Sequence, residues 1–255
     1  MFDIIGFSNL IREKGSEGLY QLYSRSILPM LQHAAMPESI IQNKDGRNIS
    51  IPDPKSQRVY YSFFSDTIIY YTKDDSWDSF NKIIFTSLEL LKSGFNGAKA
   101  PYRGAIGYGD IIFNDIGILL GTSIIDAYKG EGSQMWSGCI LTDACEKFCC
   151  DNNYINEFYK LFETVIRNEK DEDKISDYKK AQKTIVKYVV HKQRKSIDKP
   201  IEYFEKEHYV LDWTQKVYEG AADKSFNRTD IPHQEMIRVN TIAFENWARQ
   251  NNKIK

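Results

Sequence analysis

The chain has 255 residues, 42% of them hydrophobic and 27% charged, with a formal net charge of −1. That length permits a sizeable core in one large or two small domains, and the near-zero charge excludes the basic excess of a nucleic-acid binder. No apolar run reaches the roughly 18 residues that a membrane span needs, and the N-terminus lacks the charged-then-apolar order of a signal peptide, so a cytoplasmic protein with neither nucleic-acid nor membrane partners is expected.

Residues 1–7 read as a short apolar strand ending at Gly6. An amphipathic helix is predicted over 16–35, with Leu19, Leu22, Tyr23 and Ile27 on one stripe. The stretch 42–57, with Asp45-Gly46, Pro52 and Pro54, reads as loop. Two β-rich runs over 58–72 flank Ser65-Asp66, the pattern of a tight hairpin with an aspartate at its tip. A helix follows over 76–93, capped by Asp75 or Ser76, with Trp77, Phe80, Ile84, Leu88 and Leu91 facing inward. Strands are predicted over 102–113 and 117–121, with Asn114-Asp115 in the turn between them. A short helix starts at 122, a strand approaches over 136–141, and helix dominates 143–168. The charge-rich segment 167–200 reads as a solvated helix face running into a strand over 184–190; a strand at 208–212 and a helix at 234–250 complete the chain. The mixture, with hairpins, predicts one α+β domain over 1–255 with a largely antiparallel sheet. Cys139, Cys145, Cys149 and Cys150 contain no Cys-x-x-Cys pair and read as reduced, partly buried thiols.

Asp3 in an apolar strand and Asp66 at a hairpin tip flanked by hydrophobic residues share one feature. An unpaired carboxylate in such surroundings is costly, and two of them on neighbouring strand ends are able to share cations that clamp a triphosphate. Each also has a plain reading, Asp3 as a terminal residue and Asp66 as a turn former.

Phe2-Asp3-Ile4-Ile5-Gly6-Phe7-Ser8 resembles the first-strand motif of class III nucleotide cyclases, with one residue fewer between Phe and Asp. Ser65-Asp66-Thr67-Ile68-Ile69 resembles the hairpin that carries that family's second metal aspartate, and the segment from Tyr102 to Gly109 resembles its next core strand. The likeness is closer to the pyrimidine cyclases of Pycsar antiphage defence, which share the look of Phe-Ser-Asp-Thr-Ile-Ile, Arg-Gly-Ala-Ile-x-Tyr-Gly, the helix from Gly121 to Tyr128, and the C-terminal segments Val210–Trp213 and Asn240-Thr241.

The resemblance implies a ferredoxin-like cyclase fold with a C-terminal strand and helix elaboration. It implies a homodimer with active sites at its interface, and a uridylate or cytidylate cyclase, UTP favoured over CTP, that makes a second messenger for an antiviral effector. Two divalent ions, Mn²⁺ or Mg²⁺, would be held by Asp3, Asp66 and the Ile4 carbonyl. Backbone N–H groups from Gly6 through Phe7 to Ser8 would meet the phosphates. The family's transition-state Asn and Arg fall by register on Ile125 and Lys129; Lys129 keeps the charge without the bidentate fork.

The purine-reading Lys and Asp fall on Ser62 and Ile118, which cannot reproduce purine-edge contacts. Tyr60, Ser62 and Phe64 share one face of their strand; Tyr60 and Ser62 are candidates for a base pocket, while Phe64 is expected in the core. Arg103 either contacts the nucleotide or forms a structural ion pair. The family's leading strand is longer than the two residues before Asp3, so a native start beyond Met1 stays open. The competing readings are a cyclase fold retired to nucleotide binding or dimerisation, and a purine cyclase with a new pocket.

Overall fold

The computed structural model describes residues 1–36, 38–98, 100–114, 119–196, 199–226 and 232–252. In β1 (Phe2–Ile4), alternation buries Phe2 and Ile4 and turns Asp3 to the other face. Pairing extends one residue before the strand, because Met1 and Ala105 exchange backbone hydrogen bonds of 2.8 and 2.9 Å. Gly6 turns the chain at φ 78° and ψ 16°, left-handed values that cost glycine little, and α1 (Phe7–Leu22) starts directly after it. The helix therefore begins before the expected residue 16; Gly15, at φ 63° and ψ 178°, breaks it just ahead of that point. A π-helical turn, Tyr23–Ile27, leads into α2 (Leu28–Ala35).

The loop expected over 42–57 is mostly a hairpin, β2 (Ser39–Lys44) with β3 (Arg47–Pro52). Asp45 (φ 52°) and Gly46 (φ 77°) make its turn, and two consecutive positive φ values are what the favoured two-residue hairpin loop requires. β4 (Tyr60–Phe64) and β5 (Thr67–Tyr71) form the expected hairpin, with Ser65 at φ 56° and Asp66 at the tip. Phe64 is not in the core. It is 84% exposed, because β4 is an outer strand of its sheet and Phe64 stands at that strand's turn end.

α3 (Trp77–Ser93) is capped by the Ser76 hydroxyl, which accepts from the Ser79 N–H at 3.2 Å, and buries Phe80, Ile84, Leu88 and Leu91 as its period predicts. β6 (Tyr102–Ile106) stops short of the expected 113; β7 (Ile112–Phe113) and β8 (Leu119–Leu120) form a separate small hairpin. Gly107 and Gly109 interrupt the strand, the latter at φ 146°. Asp115 and Ile118 lie outside the described residues.

α4 (Thr122–Ser133) leads to β9 (Cys139–Leu141). The helical stretch 143–168 divides into α5 (Asp143–Asp151) and α6 (Tyr154–Asn168), with Asn153 at φ 60° between them. After α7 (Glu172–Gln182), β10 (Ile185–Ser196) and β11 (Lys199–Leu211) run longer than predicted. Exposed Glu202, Glu205 and Lys206 in the added part of β11 hide the alternation from which a strand is recognised. α8 (Ala221–Ser225) and α9 (Pro232–Asn252) follow.

Seven of the described strands make one sheet in the order β10-β11-β9-β6-β1-β5-β4. β6 and β9 are parallel, and each other neighbouring pair is antiparallel. The architecture is thus α+β with a mostly antiparallel mixed sheet. One contiguous set of buried side chains runs from Phe2 to Ala248. Phe95 stacks on Trp213 at 3.8 Å and Trp136 meets Phe244 edge-on at 4.6 Å, which ties α9 to the sheet. Among the described residues, no helix is long and apolar enough to cross a membrane. The cysteines are unpaired; Cys139, Cys145 and Cys149 are buried and Cys150 is exposed.

Candidate functional site

The sheet register brings the two aspartates together. Asp3 on β1 lies opposite Thr67 on β5, and the Ile4 N–H donates to the Asp66 carbonyl at 3.3 Å, so the hairpin tip closes on the strand that carries Asp3. The two carboxyl groups come close enough for the Asp66 charge to act on Asp3. Burial, then the charges of Glu131 and Asp66, push the Asp3 carboxyl up to about 7, and nearby Arg103 opposes the shift.

Two further residues hold this arrangement, and sequence reasoning assigned neither to the site. Tyr23 sits at the start of the π-helical turn and donates its hydroxyl to the Ser65 carbonyl at 2.5 Å, fixing the loop that presents Asp66. Burial and the adjacent carboxylates push its phenol up to about 12, so it stays a neutral donor. Glu131, 4% exposed on α4, accepts from Arg103 Nε at 2.5 Å. Glu131 gave no signal in a segment that reads as solvated, Lys129-Gly130-Glu131-Gly132. The physical clue is Gly130: a Cβ there would lie 2.9 Å from Thr142 Cγ2 and 3.1 Å from the Ala105 Cβ, so α4 packs closely on β6 and brings Glu131 to Arg103.

Arg103 forms ion pairs with Glu131 and Asp3. Its Nη2 lies 3.8 Å from Asp3 Oδ2, and its Nη1 donates to the Gln134 carbonyl at 3.2 Å. The turn after β1 presents Gly6, Phe7 and Ser8 at the start of α1. The N–H groups of Asn9 and Leu10 both donate to the Gly6 carbonyl, at 2.9 and 3.1 Å, and no side chain caps the helix. The Phe7 and Ser8 N–H groups precede these bonds and are the natural anion-facing donors of a helix start. Gly6 is needed for its positive φ; space is not the reason, since a Cβ there would meet only Gln234 Nε2 at 3.7 Å.

The remaining candidates are spread out. Tyr60 stands at the end of β4 farthest from the Asp66 turn, stacked on Tyr71 at 5.6 Å and Phe113 at 6.3 Å, with Lys73 Nζ 4.5 Å from its ring centroid. Ser62 is exposed midway along the same strand. Lys129 is exposed on α4 beside Tyr128, and Ile125 one turn earlier is 55% exposed.

Among the described residues, no group of three or more His, Cys, Asp or Glu side chains is placed to hold a metal ion. The donor set that does exist is the Asp3–Asp66 pair, and its chemistry fits a hard divalent cation. Two crowded carboxylates, one of them raised towards neutrality, are relieved when a cation sits between them. No family model, curated protein or solved structure matches this chain.

Proposed function

We propose that this chain is a pyrimidine nucleotide cyclase of the class III type, converting UTP, or CTP, to the 3′,5′-cyclic mononucleotide and pyrophosphate in a homodimer. The observation that carries the reading is the meeting of Asp3 and Asp66, far apart in sequence, next to the uncapped start of α1. That juxtaposition of paired carboxylates and free N–H groups is what a nucleoside triphosphate with bound cations requires.

In the reaction the ribose 3′-oxygen bonds to the α-phosphorus, the bond from that phosphorus to the bridging oxygen breaks, and pyrophosphate leaves while the hydroxyl proton passes to solvent. Divalent ions held by Asp3, Asp66 and the Ile4 carbonyl would supply charge neutralisation and lower the hydroxyl pKa. The chain's own residues position. Phe7 and Ser8 N–H groups face the phosphates, Tyr23 fixes the Asp66 loop, and Arg103 with Glu131 braces Asp3. Lys129, exposed on α4, would act on the site of the partner copy. Ser62 on β4, where purine cyclases of this type use Lys, supports a pyrimidine base.

A second reading, a retired fold that binds nucleotide or dimerises without turnover, is favoured by Arg103. Its contact with Asp3, together with the raised Asp3 carboxyl, is a way for the pair to persist without an ion. Incubation of the purified protein with Mn²⁺ and each of the four ribonucleoside triphosphates, with products identified by mass, separates the two. A cyclic pyrimidine nucleotide is expected; nucleotide binding without any cyclic product sustains the retired reading instead, and a cyclic purine product overturns the substrate assignment.

A further inference from the structure

The hairpin of β2 and β3 stands outside the main sheet. All of β2 and most of β3 are exposed, and among the described residues neither strand has a neighbour other than its hairpin mate. A lone two-stranded hairpin is marginally stable in water, and a free strand edge is a template for another strand. The two edges of this hairpin differ. The Glu38 carbonyl accepts from the Asp53 N–H at 2.8 Å, so that pair is a hydrogen-bonded one. Alternation along the register then turns the backbone groups of Ile40, Gln42 and Lys44 towards β3 and those of Ser39, Ile41 and Asn43 outward. On β3 the outward residues are Asn48, Ser50 and Pro52, and Pro52 has no N–H to offer. The open edge is therefore that of β2.

The sequence of that edge complements itself under a twofold axis. When two copies of β2 run antiparallel with Ile41 opposite Ile41, Ser39 falls opposite Asn43 in both directions, and every outward backbone group of the strand gains a partner. Ile41, 75% exposed within one chain, then packs against its own copy. The same register sets the exposed Glu38 of each copy opposite the exposed Lys44 of the other, at both ends of the contact. Glu38 and Lys44 form a pair of the non-hydrogen-bonded class, in which side chains lie closer, and opposite charges facing each other across strands are stabilising. Sliding one copy by two residues leaves an outward residue with no strand opposite and parts these charges.

We infer that β2 is an interaction edge for a second copy of this chain: two hairpins join antiparallel about Ile41 into one continuous sheet in the order β3-β2-β2-β3. The contact is isologous, each copy presenting the same strand, and main-chain hydrogen bonds supply its attraction while the charges fix its register. It goes beyond the homodimer of the proposed function, which puts a contact at the aspartate sites and assigns nothing to this hairpin. It needs neither metal nor nucleotide. One short edge makes a small interface, so proximity of the two strands is a sharper test than affinity.

Ile41→Cys is made in the full chain with Cys150→Ser, which leaves the buried Cys139, Cys145 and Cys149, and is oxidised mildly without metal or nucleotide. The Cα atoms of a hydrogen-bonded antiparallel pair lie about 5.5 Å apart, within the span of a disulfide. A covalent dimer linked at position 41, identified by peptide mass, is expected. Ser50→Cys in the same background is the matched control, since Ser50 is exposed and lies opposite Ile41 on the same face of the hairpin. In the joined sheet it stands three strand spacings from its copy, about 14 Å, and is expected not to link. Lys44→Glu added to Ile41→Cys brings like charges together and is expected to lose the link, and Glu38→Lys added to both is expected to restore it. No dimer from Ile41→Cys, an equal yield from Ser50→Cys, or a link that survives Lys44→Glu overturns the inference.

Discussion

Arg103 turns its Nε to Glu131 Oε1 at 2.5 Å and keeps a longer contact, 3.8 Å, between Nη2 and Asp3 Oδ2. Both Arg103 and Glu131 are largely buried, with side-chain exposures of 14% and 5%, so each depends on the other for charge compensation. The pair stands behind Asp3 and sets how much negative charge the site presents.

Removing one member leaves the other buried and uncompensated. Arg103→Met is expected to destabilise the fold by about 3 kcal/mol, and Glu131→Gln added to it to restore much of that loss. Urea unfolding of the two variants and wild type checks this; equal midpoints for all three would show that the pair is not structural.

The pH dependence follows from the Asp3 shift. Its carboxyl rises from 3.8 to about 7 on folding, so the folded chain holds a proton that the unfolded chain releases between those values. This group's contribution to metal-free stability is fully present below 3.8 and is lost as pH rises through about 7. Thermal unfolding in chelator is expected to fall in midpoint between about pH 6 and about pH 8, and Mn²⁺ to raise it more at the higher value. Asp3→Asn should flatten both effects.

Gly104 supports the site from beneath. A Cβ on it would lie 2.2 Å from the Phe2 ring, the neighbour of Asp3 in β1. Gly104→Ala is expected to displace Phe2 and cost about 1–3 kcal/mol, with any cyclase turnover falling in step as Asp3 moves. Differential scanning calorimetry together with the product assay measures both; unchanged stability would mean that Phe2 shifts freely.

The Asp66 turn was legible in the sequence because Ser65-Asp66 separates two β-rich runs, and tight turns are local. The meeting of Asp66 with Asp3 was one open reading of the residues and became an expectation through the resemblance, since pairing of β1 with β5 is a long-range outcome. Asp45-Gly46 carried the same hairpin signal and was outweighed by Pro52 and Pro54, which sit at the end of β3 and in the turn after it. Glu131 and Tyr23 were not legible. Their roles arise from where α4 and a π-helical turn pack, and neither residue type is unusual on a helix. Phe64 was misread because apolar character alone does not tell an edge strand from a central one.

Tyr23→Phe isolates the loop that presents Asp66. The Tyr23 hydroxyl is the donor to the Ser65 carbonyl at 2.5 Å, and its loss is expected to cost about 1 kcal/mol and to weaken Mn²⁺ affinity without abolishing it. Unfolding and Mn²⁺ titration of the same preparation measure the two effects.

Calorimetric titration of Mn²⁺ into wild type, Asp3→Asn and Asp66→Asn, each with a non-reactive UTP analogue present, reaches the aspartate pair most directly. Wild type should take up Mn²⁺ tightly, and each asparagine variant should lose most of that binding while keeping its fold by circular dichroism. Wild-type affinity retained in either folded variant would contradict the account.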